Sequence, residues 1–147
     1  MDEMGRILGL DIGDVRIGVA LSDPMRIIAS PHSMIETRSP QEDAEAIDAV
    51  AREAEAVRIV AGIPLNLEGK PGPQAIKVLE FLEKLRGVVD IEVVTQDERF
   101  STAASERTLR QARVKRKKRK KIIDKVAASH ILQTYLDREV NRKQAEG

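Results

Sequence analysis

The sequence predicts one α/β domain built on a mixed five-stranded sheet that is flanked by helices. The length of 147 residues is typical of a single domain. Short apolar segments alternate with segments of helical periodicity, which favours parallel strands joined by helices. Two strand-like segments separated by a tight turn open the chain and favour an antiparallel hairpin. We expect the domain to cover residues 1–147, with flexible ends at about 1–4 and 141–147.

Three strands are expected first, followed by a helix. The first strand is apolar on both faces, which is typical of a central strand, and the turn signal Gly13-Asp14 separates it from the second. A helix should begin at Pro40, because Ser39 can cap it and proline is favoured at the first helical position. The expected strands are Arg6–Ile12, Arg16–Ser22 and about Arg26–Ser30.

Strands and helices alternate through the rest of the chain. A loop rich in glycine and proline, Gly62 to Pro73, has a restrained backbone and could approach a ligand closely. The expected elements are a strand at Val57–Ala61, a helix from Pro73 to Gly87, a strand at Ile91–Thr95, a helix from Ser101 or Thr102 to about Gln111, and a last helix over roughly Ile122–Val140.

The charged residues are segregated along the chain. The formal net charge is only +1, yet eleven basic residues and one acidic residue lie between Arg107 and Lys125, so this segment carries +10 and the remainder −9. Adjacent like charges repel each other, whereas Lys and Arg bind nucleic-acid phosphates with release of counterions. We therefore interpret the segment as nucleic-acid-binding rather than as a solvated linker. The candidate binding residues are Arg99, Arg113, Lys115, Arg116, Lys117, Lys118, Arg119, Lys120 and Lys121.

The composition excludes several other kinds of site. Without cysteine, the chain has no disulfide, no thiolate nucleophile and no Cys-ligated zinc. No apolar segment approaches the roughly 20 residues that span a membrane, and no signal peptide is evident, so we expect a soluble cytoplasmic protein with no membrane partner. The aromatic residues are only Phe81, Phe100 and Tyr135, which makes base stacking a minor part of recognition.

Three acidic residues stand where a solvated surface charge is not expected. Asp11 interrupts an apolar strand at its carboxyl end, and Glu98 stands at the equivalent end of the fifth strand. Asp124 shares a helix face with Ala128 and Ile131, the face expected to pack on the core. Each alone is compatible with a turn or cap. If the first and fifth strands are neighbours and the last helix crosses them, all three converge at the sheet edge where α/β proteins bind ligands.

Three converging carboxylates would repel one another unless cations neutralise them. Oxygen ligands favour hard ions, so we expect Mg²⁺ or Mn²⁺, with two ions bound, rather than zinc. The basic run ends three residues before Asp124 and would bring phosphates to the metal. Because this combination is that of a phosphodiester-cleaving site, Asp11, Glu98 and Asp124 are the predicted catalytic and metal-binding residues.

Ordered motifs along the chain resemble those of a known protein family. The motifs are Gly9–Gly13 with Arg16–Ala20, Gly62–Asn66, Asp97–Thr102, and Lys117–Lys121 through Asp124–Ala128. They resemble the YqgF/RuvX family over roughly residues 5 to 138. The resemblance implies an RNase H-like fold with a central first strand, and catalytic acids at Asp11, Glu98 and Asp124. It also implies an activity described as pre-16S rRNA nuclease and, earlier, as Holliday-junction resolvase.

Two features depart from the family pattern. Asp14-Val15 stands where many relatives have a Thr-Lys-like pair, and no fourth acid is identified, although RNase H-like nucleases often carry one.

One motif has a second interpretation. The segment Leu10–Gly13 also resembles the phosphate motif of actin-like proteins and sugar kinases. Those proteins close two domains over ATP, and 147 residues supply one.

We therefore predict a metal-dependent nuclease that matures the 5′ end of the 16S ribosomal RNA precursor, with ribosomal particles as further partners. One alternative is a resolvase of branched, four-way DNA. Another is a nucleic-acid-binding factor without catalysis, acting in ribosome maturation or transcription. Metal-dependent cleavage distinguishes the last of these from the nucleases. Both a monomer and a homodimer are compatible with the sequence.

Overall fold

The computed structural model describes residues 5–98 and 117–146, with side chains described for 5–98 and 126–141. The helix that we expected over 101 or 102 to 111 lies outside the described residues. The described part contains five strands and three helices. These are β1 (Arg6–Ile12), β2 (Arg16–Ser22), β3 (Ala29–Glu36), α1 (Pro40–Glu53), β4 (Ala56–Ile63), α2 (Pro73–Arg86), β5 (Glu92–Asp97) and α3 (Lys117–Glu146).

All five strands form one mixed sheet in the order β3-β2-β1-β4-β5. The pairs β1–β2 and β2–β3 are antiparallel, whereas β1–β4 and β4–β5 are parallel. This arrangement confirms the opening hairpin, the parallel strands joined by helices, and the central position of the first strand. The carboxyl ends of β1, β4 and β5 consequently lie at one edge of the sheet.

The two faces of the sheet pack against different helices. One cluster of buried residues joins the sheet to α1 and α2 and includes Leu8, Ile47 and Leu82. The other joins the opposite face to α3 and includes Ile7 and Leu132. Successive strand residues point to opposite faces, which is why the neighbours Ile7 and Leu8 belong to different clusters. Helices therefore flank both faces, as expected.

The predicted position of the third strand was wrong. We expected it at about Arg26–Ser30, but β3 begins at Ala29 and continues to Glu36. The carboxylate of Asp23 accepts hydrogen bonds from the backbone N–H groups of Met25 (3.0 Å), Ile27 (2.7 Å) and Ile28 (2.8 Å), and Arg26 has a φ of 60°. The apolar residues that suggested a strand therefore form an exposed turn that this aspartate organises.

The last helix is longer at both ends than the expected Ile122–Val140. It begins at Lys117, so the second part of the basic run is helical, which agrees with the high helix propensity of Lys and Arg. It continues to Glu146, through the segment that we expected to be a flexible end. In the described part of the chain, no helix is both long enough and apolar enough to cross a membrane.

Removing the Asp23 carboxylate should destabilise the β2–β3 turn in a pH-dependent way. The backbone N–H of Ile28, followed by those of Ile27 and Met25, lowers the pKa of Asp23 below its ordinary value of 3.8, although desolvation opposes this. Its contribution to stability is therefore present above about pH 4 and is lost as the pH falls through the lowered pKa. We expect Asp23→Ala to lower Tm at neutral pH.

On acidification from about pH 5 to pH 3, Tm should fall less in Asp23→Ala than in the wild type, because the variant has no such contribution to lose. Asp23→Asn keeps one acceptor oxygen and should lie between the two proteins at neutral pH. Thermal melts followed by circular dichroism measure both effects. If Tm fell by the same amount in the wild type and in Asp23→Ala between about pH 5 and pH 3, this carboxylate would not stabilise the turn.

Candidate active site

Asp11 lies on the face of the sheet that α3 covers. Ile7 belongs to the α3-side cluster, and a Cβ at Gly9 would lie 2.7 Å from the Cβ of Leu132. Because strand side chains alternate between faces, Asp11 follows Ile7 and Gly9 on the α3 side. It is only 7% exposed. Helix α3 therefore packs directly on the backbone of β1, and Asp11 is the next residue of that face toward the carboxyl end.

Glu98 reaches the same face from the end of β5. It follows the last residue of that strand and is 3% exposed. A Cβ at Gly62, in the neighbouring strand β4, would lie 3.0 Å from both Cγ and Cδ of Glu98 and 2.6 Å from Cδ1 of Ile131. The glutamate side chain thus occupies the space that glycine leaves open, between the end of β4 and helix α3.

The sheet places Asp11 and Glu98 beside the same glycine. Leu10 pairs with Ala61 in the parallel β1–β4 ladder, so Asp11 and Gly62 come next along neighbouring strands, which lie about 4.8 Å apart. Glu98 contacts Gly62 from the side of β5. The structure therefore brings two of the three predicted acids to one face of one edge. Burial of two negative charges there is unfavourable unless positive charge accompanies them.

Helix α3 runs antiparallel to β4 across this face. Cδ1 of Ile131 lies next to Gly62 near the carboxyl end of β4. The hydroxyl of Tyr135, one turn later, accepts a hydrogen bond from Arg58 near the start of that strand, at 3.0 Å. Residues that precede Ile131 in the helix are consequently directed toward the sheet edge that carries Asp11 and Glu98.

Residue 124 belongs to that part of α3. It precedes Ala128 by about one helical turn, which is about 6 Å along the helix axis. Ala128 itself contacts β1, because its carbonyl oxygen lies 3.2 Å from the position that a Cβ at Gly9 would take. The side chain of Asp124 is outside the described part, so convergence of all three acids stays a prediction. Among the described side chains, no group of three His, Cys, Asp or Glu residues could hold a metal ion.

The predicted nucleic-acid-binding residues are described only in part. The backbone of residues 117–121 forms the first turns of α3, and so leads directly into the turn that contains residue 124. The other four predicted residues, Arg99, Arg113, Lys115 and Arg116, lie outside the described residues.

The loop that follows β4 is ordered by its own hydrogen bonds. The backbone N–H of Asn66 donates to the Lys70 carbonyl, and its side-chain oxygen accepts from the N–H groups of Glu68 and Lys70, each at 2.9 Å. Gly69 has a φ of 82°, a conformation that favours glycine. The loop therefore has the restrained backbone that its composition predicts, whereas its approach to a ligand stays a prediction.

Arg16 is a buried residue at this edge that begins a family motif but was not among the predicted site residues. It is 8% exposed and begins β2, and its carbonyl accepts a 2.9 Å hydrogen bond from the N–H of Gly13 across the hairpin. A charged residue at the start of an otherwise apolar strand is the signal that could have identified it.

Comparison with known proteins places the chain in a family. A family model described as "RuvX: Holliday junction resolvase" matches residues 5–138. The chain belongs to the RuvX family. A protein of Natranaerobius thermophilus named "Putative pre-16S rRNA nuclease" is 41% identical over 137 residues, which cover 93% of this chain and 97% of that protein. A protein of the same name from Clostridioides difficile is 46% identical, with the same coverage. The family resemblance is thus confirmed.

Two solved structures share the fold of this RuvX chain. T. thermophilus RuvC in complex with a Holliday junction substrate aligns with a TM-score of 0.56 at 12% identity, over 92% of this chain and 96% of that one. The fowlpox virus resolvase, in complex with Holliday junction DNA, aligns with a TM-score of 0.53 at 10% identity, over 90% and 97%. At such identities the likeness concerns the fold alone. It confirms the RNase H-like fold that the family resemblance implied.

Proposed function

We propose that this RuvX-family chain is a divalent-metal-dependent nuclease that hydrolyses phosphodiester bonds in the precursor of 16S ribosomal RNA. The observation that carries the proposal is the pair of buried carboxylates, Asp11 and Glu98, on either side of Gly62 beneath α3. Membership of the family and the name shared by its relatives support a nuclease. A non-catalytic binding factor would not need two acids buried at one sheet edge.

The donor set fits a hard divalent cation. Carboxylate oxygens are the ligands that Mg²⁺ and Mn²⁺ take, and Asp11 and Glu98 place two buried carboxylates at one edge of the sheet. We assign the third ligand to Asp124, one turn before the contact of Ala128 with Gly9. Divalent ions at this edge would neutralise phosphate charge and activate water for attack.

The protein side chains would have separate tasks in this site. Asp11, at the end of the central strand, would contribute to both of two ions. Glu98 and Asp124 would each hold one ion and orient the attacking water. Arg99, which follows Glu98 directly, would offset the negative charge that develops on the phosphate.

The basic run would bind the phosphate backbone beside the acids. In the double variant Lys117→Ala/Lys118→Ala, the slope of log Kd against log [salt] should decrease by about 1.4 for single-stranded RNA or about 1.8 for duplex DNA, because two counterion-releasing contacts are lost. Fluorescence anisotropy over a range of NaCl concentrations measures this slope.

The matched control is Lys77→Ala/Lys84→Ala, which removes the same charge from exposed positions of α2, on the face of the sheet away from α3. It should leave the salt slope unchanged. An equal decrease in both double variants would show that net charge, rather than a located binding segment, sets the affinity.

Substrate choice is tested by direct cleavage. The purified protein is incubated in Mg²⁺ or Mn²⁺ with a 16S precursor transcript and with a synthetic four-way DNA junction, and the cuts are mapped. We expect cleavage of the RNA near the mature 5′ end of 16S. Paired symmetrical cuts in the junction alone would support the resolvase that the family description names. Metal-independent binding without cleavage of either would support the binding factor.

The proposed substrate also indicates which partners the protein has and where in the cell it acts. Ribosomal RNA precursors are assembled with proteins in the cytoplasm of bacteria, so ribosomal particles are the expected partners there. A single copy of this domain supplies all three proposed acids, so catalysis requires no more than a monomer, and a homodimer is equally compatible with the proposal.

A further inference from the structure

Arg16 carries a buried hydrogen-bond donor that the described structure does not satisfy. The side chain is 8% exposed, and its Nε has no hydrogen-bond partner among the described residues. Arginine keeps its charge under all ordinary conditions, and an unsatisfied buried donor is unfavourable, so such groups are rare in folded proteins.

Two other arginines of this sheet and its turns, Arg58 and Arg26, are paired. Arg58 donates to Glu92 at 2.7 Å and to the Tyr135 hydroxyl at 3.0 Å. Burial disfavours the charged form of Arg58, but Tyr135 and Glu92 together outweigh this and raise its pKa. Arg26 donates to the carbonyl of Gly5 at 3.0 Å. Arg16 differs from these two arginines, because its buried Nε has no hydrogen-bond partner among the described residues.

The register of β1 and β2 places Arg16 beside Asp11. In the antiparallel ladder Asp11 lies opposite Gly18, so Arg16 is its diagonal neighbour, two residues from Gly18 along β2. Ala20 belongs to the α3-side cluster, and strand residues alternate, so Gly18 and Arg16 share that face. Gly18 has no side chain to separate Arg16 from Asp11.

We propose that Arg16 is a phosphate-binding residue of this site, donating from its guanidinium group to a substrate phosphate next to the bond that is cleaved. This assignment rests on the proposed nuclease function. A guanidinium presents planar donors that match phosphate oxygens, and a phosphate bound beside Asp11 would satisfy the buried Nε. Arg16 lies at the opposite side of Asp11 from Glu98, because β2 and β4 flank β1. Substrate would therefore be held between the acids and this cation.

The test measures binding separately from cleavage. Wild type, Arg16→Gln and Arg16→Lys are titrated into a fluorescent single-stranded RNA and a fluorescent four-way DNA junction, in EDTA and over a range of salt. For Arg16→Gln we expect Kd to rise about 10-fold and the salt slope to decrease by about 0.7 on RNA or about 0.9 on the junction. Arg16→Lys keeps the charge and should keep the wild-type slope.

Arg58→Gln is the matched control, since it removes a paired arginine near the other end of the same sheet. It should lower Tm without changing the salt slope. A purely structural role for Arg16 would likewise lower Tm without changing the salt slope, so a wild-type slope in folded Arg16→Gln overturns the assignment.

If Arg16→Gln does not fold, Arg16→Lys tests the assignment instead. Cleavage by Arg16→Lys at the wild-type rate overturns the assignment. A cleavage rate at least about 10-fold lower, with an unchanged salt slope, supports it.

The two proposals can fail separately. Failure of the wild type to cleave any substrate in Mg²⁺ or Mn²⁺ would refute the nuclease, whereas the binding slopes would still report whether Arg16 contacts a phosphate. Cleavage by the wild type together with an unchanged slope in Arg16→Gln would refute only the role of Arg16.

Discussion

Asp11→Asn is expected to lower the rate of phosphodiester cleavage by at least about a thousandfold, which corresponds to about 4 kcal/mol of transition-state stabilisation. Asparagine matches aspartate in size and fits the same buried position, but it lacks the charge that holds a divalent ion. Binding of nucleic acid should remain, because the proposed contacts are made by other side chains. Single-turnover cleavage of the 16S precursor transcript in Mg²⁺ measures the effect.

The control for this experiment is Glu80→Gln, which removes one negative charge from an exposed position of α2. Its cleavage rate and its Tm should match those of the wild type. If Asp11→Asn instead cut as fast as the wild type in Mg²⁺, Asp11 would have no part in catalysis and the site would have to be placed elsewhere.

Gly62→Ala should damage both stability and activity, because the new methyl group has no room. Its Cβ would lie 2.6 Å from Cδ1 of Ile131 and 3.0 Å from Cγ and Cδ of Glu98. Either α3 or the glutamate must move. We expect a loss of about 1–3 kcal/mol in the free energy of unfolding. We also expect about a 100-fold lower cleavage rate, since small displacements of a reacting group are costly.

Two further variants separate these effects. In Gly87→Ala the new Cβ would lie 3.4 Å from its nearest neighbour, the carbonyl oxygen of Lys84, and the φ of −78° at this position suits alanine. This variant should leave the free energy of unfolding unchanged or raise it by about 0.4–1 kcal/mol. The double variant Gly62→Ala/Ile131→Val removes the closest contact and should recover stability relative to Gly62→Ala. Its cleavage rate should stay low, because Glu98 is still displaced. Urea unfolding measures the stability and single-turnover assays measure the cleavage rate. If the double variant recovered both the stability and the cleavage rate, a positional role for Glu98 would be contradicted.

Local sequence signals were sufficient where the structure is local. The bounds of β1 and β2 agree with the predicted segments because Gly13 permits a tight turn between two apolar runs. Local sequence signals were insufficient for β3. The hydrogen bonds that the Asp23 carboxylate accepts from the N–H groups of Met25, Ile27 and Ile28 outweigh the strand preference of the isoleucines. A carboxylate that organises a turn is visible in the sequence, but its partners are not.

The candidate site depends on contacts that no local pattern contains. Asp11 and Glu98 are both recognisable as acids at strand ends, yet their proximity follows from the strand order β1-β4-β5 and from the register of Leu10 with Ala61. The apolar pattern indicated a central first strand, as the family resemblance also implied, but that the first and fifth strands lie near one another was only an assumption. Arg16 was missed for the same reason, because its burial comes from long-range packing.

The measurement that tests the central claim most directly is calorimetric titration of Mn²⁺ into the wild type and into Asp124→Asn. The claim is that carboxylates from β1, from the end of β5 and from α3 form one divalent-cation site. It predicts saturable binding to the wild type and a loss of at least about 10-fold in affinity for Asp124→Asn. In the absence of metal the Tm of Asp124→Asn should be at least that of the wild type, because one of the mutually repelling charges is removed. Equal Mn²⁺ affinity in the two proteins, or no binding to the wild type, would contradict the claim.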